Sequence, residues 1–176
     1  MSELAFYGGS FNPPTPAHEA IVDHLLGDEF FSEVLVKPCG LRADKPELRN
    51  SLAQRKSLVL SQLSRSSRRY TLDVNAMSEA MCPTVEEWSK LSSATDARVW
   101  VVCGTDLFLD EGEGRCQIHR WVDGERLFSE GHFYIFPRPV EGSWVCPPHA
   151  KLVTDFEPMD ISSSQLRARA QGKADL

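Results

Sequence analysis

Residues 7–18 are Tyr-Gly-Gly-Ser-Phe-Asn-Pro-Pro-Thr-Pro-Ala-His, and this stretch decides the fold. The apolar run at 4–7 stops at the paired glycines and predicts a strand, whereas the apolar spacing that follows Pro16 predicts a helix. Glycines allow a main chain to approach an anion closely, and the free N–H groups and dipole at a helix start favour negative charge. The stretch therefore predicts a phosphate-binding loop between the first strand and the first helix.

The composition narrows the class of protein. The chain has 176 residues, 41% hydrophobic and 25% charged, and we expect a single domain spanning residues 1–176. A formal net charge of -6 argues against a nucleic-acid surface, because such surfaces concentrate basic residues. Five cysteines without a C-x-x-C pair predict reduced thiols, and no run reaches the ~18 apolar residues that span a bilayer. We therefore expect a cytoplasmic protein that binds neither nucleic acid nor membrane. The sequence leaves open whether the chain forms a homo-oligomer.

Predicted strands and helices alternate along the chain. After the first strand, further strands are predicted at residues 33–37, 70–74, 98–103, 132–136 and 150–153. Helices are predicted at 52–63, with Arg55 on the polar side, and from about Ser162. A capping box of Thr84 and Glu87 predicts the start of another helix. The alternation predicts a Rossmann-like, doubly wound α/β fold, a mostly parallel sheet with helices on both faces.

Three segments are expected around one crevice of this sheet. Ligands of a doubly wound sheet bind beyond the carboxyl ends of the strands, where the strand order reverses. The loop at 8–18, the turn Gly104-Thr105-Asp106 and the loop around Lys45 each follow a predicted strand. His18 can donate an imidazole hydrogen bond to a phosphate oxygen there, and its protonated form would add positive charge. Thr15 can cap the helix that begins at Pro16.

Two segments far apart in the chain resemble a pair of known signatures. Residues 9–18 resemble the first signature of the nucleotidyltransferases, in which the loop carries His or Thr, any residue, Gly and His. Residues 161–167, Ile-Ser-Ser-Ser-Gln-Leu-Arg, look like the second, I-S-S-T/S-x-x-R. This pair, ~150 residues apart and in this order, is more specific than either signature alone. Between them, Gly104-Thr105-Asp106 and Trp121 resemble the nicotinamide or nicotinate mononucleotide adenylyltransferases.

The resemblance implies an activity. It implies transfer of the adenylyl group of ATP to nicotinamide or nicotinate mononucleotide, giving the dinucleotide and pyrophosphate in NAD biosynthesis. Such a transfer depends mainly on aligning two polyanions and neutralising their charge. Magnesium is expected with ATP, held by phosphates and water, and no metal ligands from the protein are expected. The implied partners are ATP and a pyridine mononucleotide.

The resemblance and the residue types together give the candidate site. The catalytic candidates are His18, Arg167 and Thr15. The ATP-binding candidates are Gly8, Gly9, Ser10, Phe11, His18, Gly104, Asp106, Ser162, Ser163 and Arg167. The mononucleotide-binding candidates are Ser10, Phe11, Lys45 and Trp121. Within these sets, Arg167 offers a planar fork of donors to pyrophosphate, Asp106 can accept from a ribose hydroxyl, and Trp121 can stack on a pyridine ring.

Some positions depart from the family pattern and keep alternatives open. Ala17 replaces a glycine of the first signature, residues 82–84 lack a clear match, and Met159 stands where some relatives carry asparagine. The choice between the amide and the acid form of the mononucleotide therefore stays open. One alternative function is phosphopantetheine adenylyltransferase, and another is a nucleotide-binding regulator without turnover.

Overall fold

A computed structural model describes residues 2–41, 52–78 and 83–172 of the chain. Its strands are β1 (Glu3–Gly9), β2 (Glu33–Pro38), β3 (Tyr70–Leu72), β4 (Arg98–Gly104), β5 (His132–Phe136) and β6 (Ala150–Leu152). Its α-helices are α1 (Pro16–Gly27), α2 (Leu52–Leu63), α3 (Thr84–Ala94), α4 (Gly124–Glu130) and α5 (Ser163–Gly172). Short 3₁₀ helices cover Val74–Ala76, Thr105–Phe108 and Gln117–Arg120.

The strands of the described ranges form one sheet in the order β3-β2-β1-β4-β5-β6, with parallel pairing throughout. Chain order reverses between β1 and β4, which lie side by side with Leu4 opposite Val99 and Phe6 opposite Val101. The carboxyl ends of these two strands therefore meet at the switch point, where a doubly wound sheet binds its ligands. The predicted Rossmann-like fold is confirmed.

Successive side chains of β1 point to opposite faces of the sheet, and each face carries its own core. Ala5 and Tyr7 belong to the core that includes residues of α1 and α2, whereas Leu4 and Phe6 belong to the core that includes residues of α3 and α4. Both faces are thus covered by helices, which explains why β1 and β4 are apolar on both sides. The predicted placement of helices on both faces is confirmed.

Two predictions about polar residues are wrong. Thr84 does not cap α3, because the N-cap is Pro83 and makes no side-chain cap hydrogen bond. The carboxylate of Glu87 instead forms an ion pair with Lys37 near the end of β2, and its Oε1 lies 3.2 Å from Nζ of Lys90. The side chain of Glu87 is therefore engaged in ion pairs and does not form the capping box. Arg55 does not face solvent, since only 1% of it is exposed.

One predicted strand is shorter than expected. Residues 70–74 alternate like a strand, yet β3 ends at Leu72. The carboxylate of Asp73 accepts the N–H of Asn75 at 3.1 Å and starts a 3₁₀ helix there. Local capping by the aspartate therefore ends the pairing of β3 with β2.

Within the described ranges, no helix is long and apolar enough to cross a membrane.

Substituting Gly124 tests the packing of the turn before α4. A Cβ at this position would lie 1.9 Å from the carbonyl oxygen of Ile118, so Gly124→Ala must displace backbone and should lower the free energy of unfolding by about 1–3 kcal/mol. Gly27 at the end of α1 has no atom within 4 Å of a Cβ, so Gly27→Ala should stay within about 1 kcal/mol of the wild type. Urea unfolding of both variants measures the difference, and equal stabilities would contradict the packing described.

Candidate functional site

The start of α1 is fixed by a hydrogen-bonded pair, Thr15 and His18. The N–H of His18 donates to Oγ1 of Thr15 at 3.4 Å, and the N–H of Thr15 donates to Nδ1 of His18 at 2.9 Å. This capping box confirms Thr15 as the N-cap, with histidine in the place usually held by glutamate or glutamine. Because Nδ1 accepts a hydrogen bond, the neutral ring carries its proton on Nε2.

The environment of His18 favours the neutral ring. Burial, and after it the positive charge of Arg138, lowers the pKa of His18 from 6.5 to about 4. Protonation of Nδ1 would also abolish its hydrogen bond from Thr15. This geometry suits a neutral ring that donates through Nε2–H at pH 7, and the added charge of a protonated ring stays a prediction.

Aromatic rings pack around the glycine-rich part of the loop. Phe11 is 2% exposed, and its ring lies edge-on to Tyr7 at 5.3 Å and to His18 at 5.0 Å between centroids. A Cβ on Gly9 would lie 3.0 Å from that ring, so glycine leaves the space that the ring occupies. Burial leaves the main chain as the part of Phe11 that can face a ligand.

The C-terminal helix α5 docks on the same loop, so the two signatures meet. Oγ of Ser163 donates to the carbonyl oxygen of Pro13 at 2.7 Å, and the guanidinium of Arg167 donates to the carbonyl oxygen of Asn12. Ser162 accepts the N–H of Gln165 at 3.2 Å, which is the geometry of a helix cap. The structure therefore brings Ser163 and Arg167 to the loop that precedes His18.

The carboxyl end of β4 forms the opposite wall. A Cβ on Gly104 would lie 2.3 Å from Oδ1 of Asp106 and 2.7 Å from Cγ of Arg138, so only glycine lets both side chains cross this turn. Nε of Arg138 lies 3.7 Å from Oδ1 of Asp106, and its main-chain N–H donates to Oγ1 of Thr105 at 2.9 Å. Arg138 thus joins the Gly104 turn to the crevice that contains His18.

Sequence reasoning missed Arg138. Its positive charge acts on the pKa of His18 and also on that of Tyr7, whose pKa is raised chiefly by burial. The available signal was its place just beyond β5, after Pro137, where a basic residue lies past the carboxyl end of a predicted parallel strand. Arg138 is the cation that the described geometry adds to the predicted set.

The predicted mononucleotide side is described only in part. Trp121 is partly buried against the core that includes residues of α3 and α4. Its main-chain N–H donates to the carbonyl oxygen of Ile118 at 3.0 Å. The turn before it is held by a second histidine box, in which the N–H of Cys116 donates to Nδ1 of His119 at 3.0 Å. Lys45 lies outside the described residues.

A metal ion held by the protein itself needs a group of His, Cys, Asp or Glu side chains. In the ranges that the structure covers, no three His, Cys, Asp or Glu side chains are grouped to hold one. The crevice instead offers main-chain groups, hydroxyls and arginines, which suit phosphate oxygens. A magnesium ion accompanying ATP would fit such a site through its phosphate and water ligands, which this ion prefers.

No protein-family model matches the chain. Two curated proteins, each named as a probable nicotinate-nucleotide adenylyltransferase, are similar to it in sequence. The one from Desulfatibacillum aliphaticivorans is 26% identical over 140 residues, and the match covers 79% of this chain and 61% of that relative's length. The one from Fusobacterium nucleatum is 21% identical over 185 residues, which covers 99% of this chain and 90% of that relative.

Solved structures share the fold. The nicotinic acid mononucleotide adenylyltransferase of Plasmodium falciparum, complexed with NaAD, superposes with a TM-score of 0.68 at 22% identity, covering 96% of this chain and 83% of that chain. The same enzyme complexed with APC gives a TM-score of 0.66. At this level of identity the likeness shows the fold alone.

The tautomer and pKa of His18 can be measured directly. Long-range ¹H–¹⁵N NMR spectra of the free protein should show a neutral ring with its proton on Nε2 that titrates at about pH 4. The unfolded chain takes up this proton near pH 6.5, so stability should fall as the pH drops from 6.5 toward 4. A proton on Nδ1, or a midpoint near 6.5, would contradict the capping geometry.

Proposed function

We propose that this chain transfers the adenylyl group of ATP to a pyridine mononucleotide. Its two signatures, its curated relatives and its fold support a nucleotidyltransferase of the nicotinate/nicotinamide mononucleotide adenylyltransferase family. An oxygen of the mononucleotide phosphate attacks the α-phosphorus of ATP. The bond from that phosphorus to the bridging oxygen breaks, and pyrophosphate leaves with the electron pair. The product is the dinucleotide.

One observation carries this proposal: α5 is hydrogen-bonded to the loop of the first signature. Ser163 and Arg167 donate to the carbonyl oxygens of Pro13 and Asn12, so both signatures border the start of α1. A helix start with arginine nearby is suited to a polyphosphate. A single polyanion can therefore contact both segments. If the two motifs resembled the signatures only by accident, there would be no reason for them to lie together.

The residues would divide the work on ATP by charge and geometry. His18 donates its Nε2–H to an oxygen of the α- or β-phosphate, where negative charge grows in the transition state. Arg167 turns its planar fork to the leaving pyrophosphate, Thr15 holds the imidazole in place, and Ser162 and Ser163 line the entrance of α5. Because the attacking phosphate is already an anion, the reaction requires alignment and charge neutralisation more than proton transfer.

At the switch point, Gly104 and Asp106 would receive the ribose of ATP. The carboxylate of Asp106 accepts hydrogen bonds from ribose hydroxyls, and Arg138 orients it from 3.7 Å away. The glycines of the first loop, Gly8 and Gly9, let the main chain come close to the phosphates. Magnesium, when bound with ATP, supplies charge neutralisation on the triphosphate.

The acceptor is proposed to be nicotinate mononucleotide in preference to the amide. The curated relatives are named for the nicotinate form, and Trp121 offers a flat face for the pyridine ring. Ser10 and Phe11 would contribute main-chain groups and Lys45 a cation for the acceptor phosphate. Purified protein incubated with ATP, magnesium and each mononucleotide tests this, with the dinucleotide assayed by chromatography.

The outcomes separate the candidate functions. A higher kcat/KM with nicotinate mononucleotide is expected. Turnover with neither mononucleotide would reject the assignment, and turnover only with pantetheine phosphate would replace it with the phosphopantetheine activity. ATP binding without pyrophosphate release under any of these acceptors would indicate a regulator.

Replacing His18 by asparagine separates its chemistry from its structural role. The Oδ1 of asparagine takes the place of the imidazole Nδ1, so His18→Asn should retain the hydrogen bond from the Thr15 N–H, while no donor remains at the position of Nε2. We expect kcat to fall by about 100-fold, as for other lost transition-state donors, with a small change in Tm.

A control variant lies on the same helix. His24 is remote from the signature loop and contacts Tyr134 and Phe136, so His24→Asn should leave kcat within about twofold of the wild type. If His18→Asn and His24→Asn had equal kcat, or if His18→Asn lost stability in proportion to activity, His18 would have a packing role only.

A further inference from the structure

A buried arginine lies beneath the loop of the first signature. Arg55, on α2, is 1% exposed. Its Nη1 donates to the carbonyl oxygens of Ser10 at 2.8 Å and Cys39 at 2.7 Å, and its Nη2 donates to that of Gly40 at 3.1 Å. One guanidinium therefore joins the phosphate loop after β1 to the segment that leaves β2.

The two segments that Arg55 joins serve the two proposed substrates. Ser10 belongs to the loop proposed for ATP, and the chain beyond Gly40 leads to Lys45, proposed for the acceptor phosphate. A main-chain hydrogen bond of 2.8 Å from Cys39 to Gly9 reinforces the same junction. Arg55 thus lies where the ATP loop meets Cys39 and Gly40, directly after β2.

Among the described residues, the guanidinium of Arg55 is met by three carbonyl oxygens and by the side chain of Cys39, and its buried Nε has no hydrogen-bond partner. Burial lowers the pKa of Arg55, as expected for a cation removed from water, and Cys39 opposes this shift. A buried charge of this kind is costly for a folded protein unless a counter-charge arrives from elsewhere.

We propose that Arg55 is a positioning residue that fixes the loop at Ser10 against Cys39 and Gly40, and that the bound polyphosphate balances its charge. The proposal rests on the proposed function in taking a polyphosphate as the ligand. Arg55 acts through the main chain of the loop and through its electric field, without touching the reacting atoms. A bound triphosphate then adds negative charge near a buried guanidinium whose described partners are carbonyl oxygens and the side chain of Cys39.

A matched arginine elsewhere in the molecule provides the control. Arg69 is also clamped by three carbonyl oxygens, those of Leu26, Asp28 and Phe31. It precedes β3 and contacts the segment between α1 and β2, at the amino-terminal edge of the sheet. Removing its guanidinium costs similar hydrogen bonds but changes no charge at the switch point.

The test measures binding of inorganic tripolyphosphate by calorimetry, which needs no turnover. Arg55→Met should weaken binding about tenfold and flatten its dependence on salt concentration, because one buried cation is lost. Arg55→Lys keeps the charge and should bind within about threefold of the wild type. Arg69→Met should lower Tm but leave the dissociation constant unchanged. If the methionine variant fails to fold, Arg55→Gln, which keeps a donor for the carbonyl oxygens, takes its place.

Other results would overturn the inference. If Arg55→Met or Arg55→Gln bound tripolyphosphate with wild-type affinity, the charge of Arg55 would have no role in binding. If Arg55→Lys weakened binding as much as Arg55→Met, the shape of the guanidinium, and not its charge, would explain the effect. Tripolyphosphate binding by the wild type without adenylyl transfer would reject the proposed function alone. Normal turnover together with unchanged binding in the neutral variants would reject the role of Arg55 alone.

Discussion

The structure of the site depends on three carbonyl oxygens of the loop that follows β1. The sheet pairing of β1 ends at Gly9, so the carbonyl groups beyond it need donors from elsewhere if they are to be buried. Those of Ser10, Asn12 and Pro13 accept hydrogen bonds from Arg55, Arg167 and Ser163. Helices from the middle and the end of the chain thereby shape a loop near its beginning. Two of the three donors are cationic, which makes the loop a favourable place for phosphate.

Much of this arrangement was predictable because it depends on local patterns. The apolar residues of β4 lie in a run without polar interruption, which is typical of a central parallel strand. The N-cap at Thr15 follows from a hydroxyl directly before Pro16, since both preferences concern the same helix start. Alternation of strands and helices then leaves few topologies, so a mostly parallel, doubly wound sheet is predictable, whereas the strand order itself was not predicted.

The remainder depended on contacts between distant segments. A polar residue on the polar stripe of α2 looks exposed, and Arg55 is buried because carbonyl groups from two other loops reach it. Glu87 has the spacing for a capping box, but its carboxylate forms an ion pair with Lys37 of β2 instead. Arg138 reaches the crevice only because β5 pairs beside β4. Burial, and after it the charge of Arg138, lowers the pKa of His18, an effect that no spacing along the chain could indicate.

The docking of α5 on the first loop also has a consequence for how the protein is made. Ser163 follows its partner Pro13 by 150 residues and Arg167 follows Asn12 by 155, so the ribosome makes the loop well before its two donors. Until α5 has been synthesised, the carbonyl groups of Asn12 and Pro13 must bond to water. The first loop of the nascent chain therefore reaches its final form only after α5 has emerged and docked.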